Sequence, residues 1–410
     1  MLLRLLQIIF VACLPLLVDA QTSPNILVLI ADDWSYPHAS IYGDPVVQTP
    51  NFDRLAREGV VFDHAYCASP SCTPSRAALL TGRYPHELGP GGNLWSLLPD
   101  TFPNYVALLE KAGYTTGKAD KGWGPGNVKA GGYLHNPAGP HYDSFTDFLK
   151  LRDTERPFCF WEGSNDPHRV YEPGIGARQG MDADGISLPP FFPDLPEVRE
   201  DILDYFYEVE RFDRRIGTAV RELEKRGLLN NTIIVVTSDN GMPFPRSKAN
   251  LYDYGARVPL AIYWKGQLQP ARETENFVNL IDLAPTFLEA AGLTVPGEMS
   301  GKSLLPLLKG QSREHREQVF LERERHAYVR PDNQSYPMRA VRTKDCLYIR
   351  NLEPARYPAG DPVHVYSVGA YGDCDNSITK DAILNGKDST VKQLAFGKRP
   401  SEELYLLSDD

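Results

Sequence analysis

Several short stretches of this chain are apolar at consecutive positions rather than alternate ones. Ile26-Leu27-Val28-Leu29-Ile30, Phe158-Cys159-Phe160-Trp161, Ile233-Ile234-Val235-Val236 and Leu260-Ala261-Ile262-Tyr263-Trp264 all have this texture. Such runs predict strands buried on both faces, as in a largely parallel sheet. From Leu203 to Leu229 the period changes: Tyr205, Val209, Phe212, Ile216, Val220 and Leu223 recur at three- and four-residue steps. That spacing predicts a long amphipathic helix closed near Gly227. Asn279 to Leu288 reads as another helix, with Pro285 in its first part, and Gly301 to Leu308 closes the main body. Beyond about Gly310 charges run from Glu314 to Glu324, and Gln318–Leu321, Ala340–Arg342 and Cys346–Arg350 read as strands of a smaller antiparallel sheet. The expected fold is α/β: a large, mostly parallel sheet flanked by helices over residues 21–310, and a smaller C-terminal α+β subdomain over 311–410.

Two of the apolar runs end in oxygen-bearing pairs, Asp32-Asp33 and Asp239-Asn240. The C-terminal ends of central strands are where open α/β sheets place ligands, and hard oxygens of this kind suit Ca²⁺ or Mg²⁺. If the strands are neighbours, the pairs converge. A third feature lies between them, in Ser69-Pro70-Ser71-Cys72-Thr73-Pro74-Ser75-Arg76 followed by Ala77-Ala78-Leu79-Leu80-Thr81-Gly82-Arg83. Turn formers lead up to Cys72 and Pro74 suits a first helical turn, so Cys72 is expected at a helix N-terminus, where free N–H groups favour an anion. Arg76, at i+4, falls on the same helix face as the sulfur.

Cys-x-Pro-Ser-Arg with Ala-x-Leu-Leu-Thr-Gly-Arg resembles the signature of the type I sulfatases, whose cysteine is oxidised after translation to Cα-formylglycine. The resemblance implies an alkaline-phosphatase-like fold, a hydrated aldehyde at Cys72, and maturation by a formylglycine-generating or anaerobic sulfatase-maturating enzyme. It also implies one divalent cation, usually Ca²⁺ with Mg²⁺ as the alternative, held by Asp32, Asp33, Asp239, Asn240 and the oxygen at position 72. Arg76 would offset charge on the sulfuryl group. His168, in Asp166-Pro167-His168, falls where the family places a histidine against sulfate and the leaving oxygen, and Lys248 matches a bridging lysine with Arg246 close by. The family's Gly-Lys-x-His is not kept. Gly117-Lys118 puts Asp120 in place of the histidine, and the register of Lys121 puts Trp123 there. Lys118 is preferred for the sulfate, with Lys121 as a further substrate contact; His135 or His141 would have to replace the histidine spatially.

Ser335-Tyr336-Pro337-Met338-Arg339, together with the other motifs, is most similar to the heparan N-sulfatase branch. This implies N-sulfoglucosamine of a heparan-type glycan as substrate, and Arg339 and the Leu352-Glu353-Pro354 neighbourhood facing it. O-sulfated algal polysaccharides such as carrageenan or fucan are the alternative, followed by a phosphodiesterase or phosphonate hydrolase of the same fold and a glycan-binding pseudo-sulfatase without turnover. Relatives usually continue beyond Glu403–Leu407.

The formal charge of -10 over 410 residues argues against a general nucleic-acid binder, so an anionic substrate must meet a local basic pocket. Met1 to Ala20 has the positive start, short apolar core and small-residue end of an export signal, and no later run is long enough to span a membrane. A periplasmic or secreted protein is expected, or a lysosomal one in an animal host. Export permits disulfides. Of the six cysteines, Cys13 leaves with the signal and Cys72 is claimed by chemistry; a Cys346–Cys374 bridge is expected among the rest. Asn230 and Asn333 head glycosylation sequons that matter only in a eukaryotic host.

Overall fold

A computed structural model describes residues 23–363 and 369–407; the expected export signal, Met1–Ala20, lies outside them. In chain order the strands are β1 (Asn25–Ala31), β2 (Val60–Phe62), β3 (Ala65–Tyr66), β4 (Thr115–Ala119), β5 (Phe158–Gly163), β6 (Thr232–Ser238), β7 (Leu260–Trp264), β8 (Ala271–Glu273), β9 (Val278–Asn279), β10 (Gln318–Arg323), β11 (Met338–Thr343), β12 (Cys346–Asn351) and β13 (Glu402–Leu406). Among the described residues the main sheet has the order β4-β5-β1-β6-β7-β2-β8. Its first four strands are mutually parallel, while β7 runs antiparallel to both β6 and β2.

The consecutive apolar positions of β1 follow from its central place. Ile26, Val28 and Ile30 join one core with Leu79, Leu80 and Phe287. Leu27, Leu29 and Ala31 join the core on the other face with Val209, Phe212 and Ile216 of the long helix. Truncating one such leucine to alanine costs about 2–5 kcal/mol.

The long helix spans Pro196–Lys225, a little earlier than the apolar period indicates. Pro196 opens it, where its missing N–H costs no bond and its fixed φ suits a first turn. The helix expected from Asn279 is shorter: Val278–Asn279 pairs with β3 as β9, and only Leu283–Ala290 is α-helical. Pro285 thereby stands in the first turn.

The smaller sheet is antiparallel, in the order β10-β11-β12-β13. Its last strand, unread in the sequence, pairs Tyr405 with Leu347. The expected Cys346–Cys374 bridge is not formed. Cys374 packs in the core of the long helix, whereas Leu347 beside Cys346 packs in the core on the opposite face of the main sheet. The described cysteines are all free thiols. Among the described residues, no helix is long and apolar enough to cross a membrane.

Candidate active site

The parallel register pairs Ala31 of β1 with Ser238 of β6, so the residues that follow are brought together. The Asp239 N–H donates to the Ala31 carbonyl at 3.2 Å, and the Asp33 N–H donates to Asp239 Oδ1 at 3.2 Å. Asp33 has φ 77°, a left-handed conformation that aspartate tolerates better than most side chains. Asn240 Nδ2 donates to Asp33 Oδ1 at 2.6 Å and to the Gly241 carbonyl, while Asn240 Oδ1 is buried with no partner. Buried acceptors are rarely left unpaired.

The helix Cys72–Thr81 begins at Cys72 and stops at Gly82, whose φ of 64° suits a glycine C-cap. Cys72 Sγ lies 3.4 Å from Asp32 Oδ1. One helical turn on, the buried Arg76 donates from Nε to Asp239 Oδ2 at 2.7 Å and from Nη1 to the carbonyls of Lys121 and Gly122. Gly163 makes that approach possible, since a Cβ there would lie 1.8 Å from the Lys121 carbonyl oxygen.

The lysines divide differently from the sequence preference. Asp120 takes φ 45° after β4, and Lys121 then reaches Asp32 Oδ2. Lys118 donates to the Asp120 carbonyl at 2.6 Å, although it lines the same cleft. Trp123 lines the cleft as well, its indole N–H buried without a partner. Lys248 donates to Asp33 Oδ2 at 2.7 Å. His168 contacts the Arg169 carbonyl through Nδ1 at 2.6 Å, which makes Nδ1 the donor; its Nε2 lies 3.8 Å from Asp33 Oδ2.

Asp32, Cys72, Lys118, Lys121, Trp123, His168 and Lys248 border one cleft of about 960 Å³, while Asp33, Arg76, Asp239 and Asn240 are buried next to these lining residues. Burial alone would raise the Asp32 carboxyl, but Lys121, His168 and Arg76 hold it well below the usual carboxylate range. Asp239 is pushed up to about 6, mainly by burial, against the pull of Arg76. Burial and the Asp32 charge push the Cys72 thiol well up, away from a thiolate.

Two expected substrate contacts lie elsewhere. Arg246, at φ 63°, turns its guanidinium onto the Tyr252 ring 4.0 Å away and donates to the Leu394 carbonyl. Arg339, on β11, is paired with Glu322 and Glu324 and borders a separate groove with Tyr84 and Phe320. Leu352-Glu353-Pro354 is likewise absent from the cleft lining, as are His135 and His141, which are solvent-exposed. Conversely, the sequence reading missed His326 and Asp375, both on the cleft wall. Asp375 Oδ2 is 3.3 Å from Lys248 Nζ, and His326 Nδ1 is 2.8 Å from Ser71 Oγ. Against the effect of burial, Lys248 and His168 hold the Asp375 carboxyl down at about 2. Burial pushes His326 down to about 3, which leaves it neutral. Neither belongs to a periodic element, and the only signal was an acidic turn, Asp373-Cys374-Asp375.

The donor set fits a hard divalent cation. Asp32, Asp33 and Asp239 carry buried carboxylates, and the unpartnered Asn240 Oδ1 is a neutral oxygen of the kind Ca²⁺ takes. Ligand atoms of Asp32, Asp33 and Cys72 lie within 4.8 Å of one another, so position 72 stands among these oxygens.

The sulfatase family model matches residues 24–293, and a second model, N-sulphoglucosamine sulphohydrolase, C-terminal, matches residues 246–355. The human N-sulphoglucosamine sulphohydrolase is 30% identical over 377 residues, covering 80% of this chain and 73% of that protein. An ulvan-active sulfatase of Formosa agariphila is 28% identical, over 81% of this chain and 61% of its own length. Among solved structures, BT4656 in complex with its substrate D-glucosamine-2-N,6-O-disulfate superposes with a TM-score of 0.62 at 22% identity, over 80% of this chain and 89% of that one. Ps i-CgsB bound to a neocarrahexaose gives the same TM-score at 24% identity, over 81% and 85% of the two chains. At these identities the structural matches establish the fold. With most of the main sheet inside the first family model and the human relative covered over its greater part, the chain belongs to the sulfatase family, the sulfuric ester hydrolases.

Proposed function

We propose that this protein hydrolyses the sulfamate of N-sulfoglucosamine in a heparan-type glycan, using formylglycine at position 72 and a divalent cation. The observation that carries the reading is the place of Cys72: first residue of its helix, 3.4 Å from Asp32 and one turn before the buried Arg76. The 30% identity to the human N-sulphoglucosamine sulphohydrolase and the match to its C-terminal model favour the sulfamate.

Asp32, Asp33, Asp239 and Asn240 would hold the cation, which supplies Lewis-acid polarisation of a sulfate oxygen. Formylglycine, once hydrated, would supply a geminal diol, one hydroxyl of which would take the sulfuryl group as the substrate's S–N or S–O bond breaks, while loss of the other's proton would release sulfate and restore the aldehyde. The chain's own groups do the rest. Arg76, held by Asp239 and two carbonyls, is a fixed cation beside the nucleophile. Lys121 and Lys248 bring two more charges to the cleft, with Lys118 further along its wall. Preorganised donors of this kind are worth roughly 3 kcal/mol each in other enzymes. With Nδ1–H committed to a carbonyl, His168 leaves Nε2 to take up a proton from solvent and deliver it to the departing nitrogen or oxygen.

A second reading, an O-sulfatase on an algal polysaccharide, is favoured by the 28% identity to the ulvan-active sulfatase. The N-terminal export signal supports a periplasmic, secreted or lysosomal location. The test is sulfate release, followed by ion chromatography, from N-sulfoglucosamine and from O-sulfated sugars by protein matured with a formylglycine-generating enzyme. Sulfate from the sulfamate is expected. No sulfate from any of them, with turnover of a phosphodiester instead, would overturn the proposal.

A further inference from the structure

Beside the acidic floor of the cleft stands a carboxylate outside the ligand set proposed above, Asp32, Asp33, Asp239 and Asn240. Asp375 lines the cleft with its side chain 29% exposed. Its Oδ2 is shielded from solvent and lies 3.3 Å from Lys248 Nζ, without a hydrogen bond of good geometry. On its other side is the imidazole proposed as the acid: atoms of Asp33, His168 and Asp375 lie within 4.8 Å of one another. Asp375 therefore faces both groups that would surround the leaving atom.

An extra anion in a cleft for anions needs a reason. Sulfate oxygens only accept hydrogen bonds, so a carboxylate gains nothing from them and repels their charge. A carboxylate binds donors well, with bonds roughly twice as strong as those between neutral groups. The donors a sulfated sugar brings nearest the scissile bond are the N–H of a sulfamate or the hydroxyl on a neighbouring carbon.

We infer that Asp375 is a specificity-determining residue that accepts a hydrogen bond from a donor of the sugar at or beside the sulfated atom. The inference rests on the sulfatase reading above. It gives the leaving-group side of the cleft a preference: a substrate with that donor pairs the carboxylate, and one without it displaces water from the carboxylate without replacing the bond. If Asp375 served only to hold Lys248, its loss would affect every sulfate alike.

The experiment compares kcat/KM of the wild-type enzyme and Asp375→Asn on glucosamine N-sulfate, on the glucose ester sulfated at the same carbon, and on methylumbelliferyl sulfate, which has no neighbouring donor. The loss on a sugar is expected to exceed the loss on the aryl ester by roughly ten- to hundredfold, the usual range for an unpaired charged hydrogen bond. A differential confined to the N-sulfate identifies the N–H as the donor; one shared by both sugars identifies the hydroxyl. Equal losses on all three substrates would overturn the inference while leaving the sulfatase reading intact. A wild-type enzyme that releases sulfate from none of them would overturn both. Asp375→Ser gives the same comparison should the amide variant fail to fold.

Discussion

The floor and the C-terminal wall of the cleft are built by opposite means. The floor is set by repetition: β1 and β6 pair in register from Asn25–Thr232 to Ala31–Ser238, and every rung helps to place Asp32, Asp33, Asp239 and Asn240. The wall gathers around one side chain, with a few scattered bonds beside it such as the Asp361 N–H to the Val329 carbonyl and Arg330 to the Tyr357 and Pro358 carbonyls. Asp373 accepts from Arg323 and from the Ala327 N–H at 2.8 Å and is ion-paired with Arg330 Nη2 at 2.8 Å, tying the segment after β10 to the loop that carries Asp375. His326 and Asp375 reach the cleft because these two segments meet. A distributed backbone ladder tolerates local damage, whereas a single buried anion between two guanidinium groups is a point of failure.

The largest effect should come at the edge of the floor. Cys72→Ala is expected to lower kcat/KM for sulfate release by roughly 10⁴-fold or more, with little change in thermal unfolding, as for removal of a covalent nucleophile. The wall should break thermodynamically instead. Asp373→Asn leaves Arg323 and Arg330 uncompensated and should cost about 3–5 kcal/mol in denaturant unfolding. Against the effect of burial, Arg323 and Arg330 hold Asp373 down at about 2, so its contribution is present above the ordinary carboxylate range. It is lost as pH falls through that range towards 2, and the stability gap between wild type and variant should therefore narrow on acidification from about pH 5. A gap that widened would reverse the sign of this argument.

The cation should act on the floor alone. Ca²⁺ at about a hundred times its Kd should stabilise the protein by about 2.7 kcal/mol, reversed by chelator, and Asn240→Ala should lose most of that shift. Calcium titration followed by thermal unfolding checks it, and an unchanged shift in the variant would remove Asn240 from the ligand set. The smallest effects are expected at Arg246, which stacks on Tyr252, and Arg339, which pairs with Glu322 and Glu324: with their partners outside the cleft, alanine at either should change kcat/KM by less than about threefold, in line for Arg339 with the modest worth of peripheral ion pairs.

The same contrast explains what the sequence disclosed. Uninterrupted apolar runs located β1, β5, β6 and β7 because strands buried on both faces need apolar residues at every step. Their ends then pointed to Asp32, Asp33, Asp239 and Asn240. Cys72 and Arg76 were legible through helix-start chemistry and a long motif. What escaped depends on single dihedrals and distant contacts. The left-handed turn at Asp120 sends Lys121 to Asp32 and leaves Lys118 on a backbone carbonyl, and no periodicity encodes such a turn. A similar conformation at Arg246 carries that guanidinium onto an aromatic ring. Asp375 was hidden because its partners, Lys248 and His168, lie more than a hundred residues away in the chain.

The most direct measurement is the mass of the tryptic peptide containing Cys72, from protein produced with a formylglycine-generating enzyme. Exchange of the thiol for an aldehyde should lower the peptide mass by about 18 Da relative to the cysteine form, establishing position 72 as the reactive group. A wholly unmodified thiol from that host would contradict the proposed chemistry and leave the cleft as a binding site for sulfated sugars.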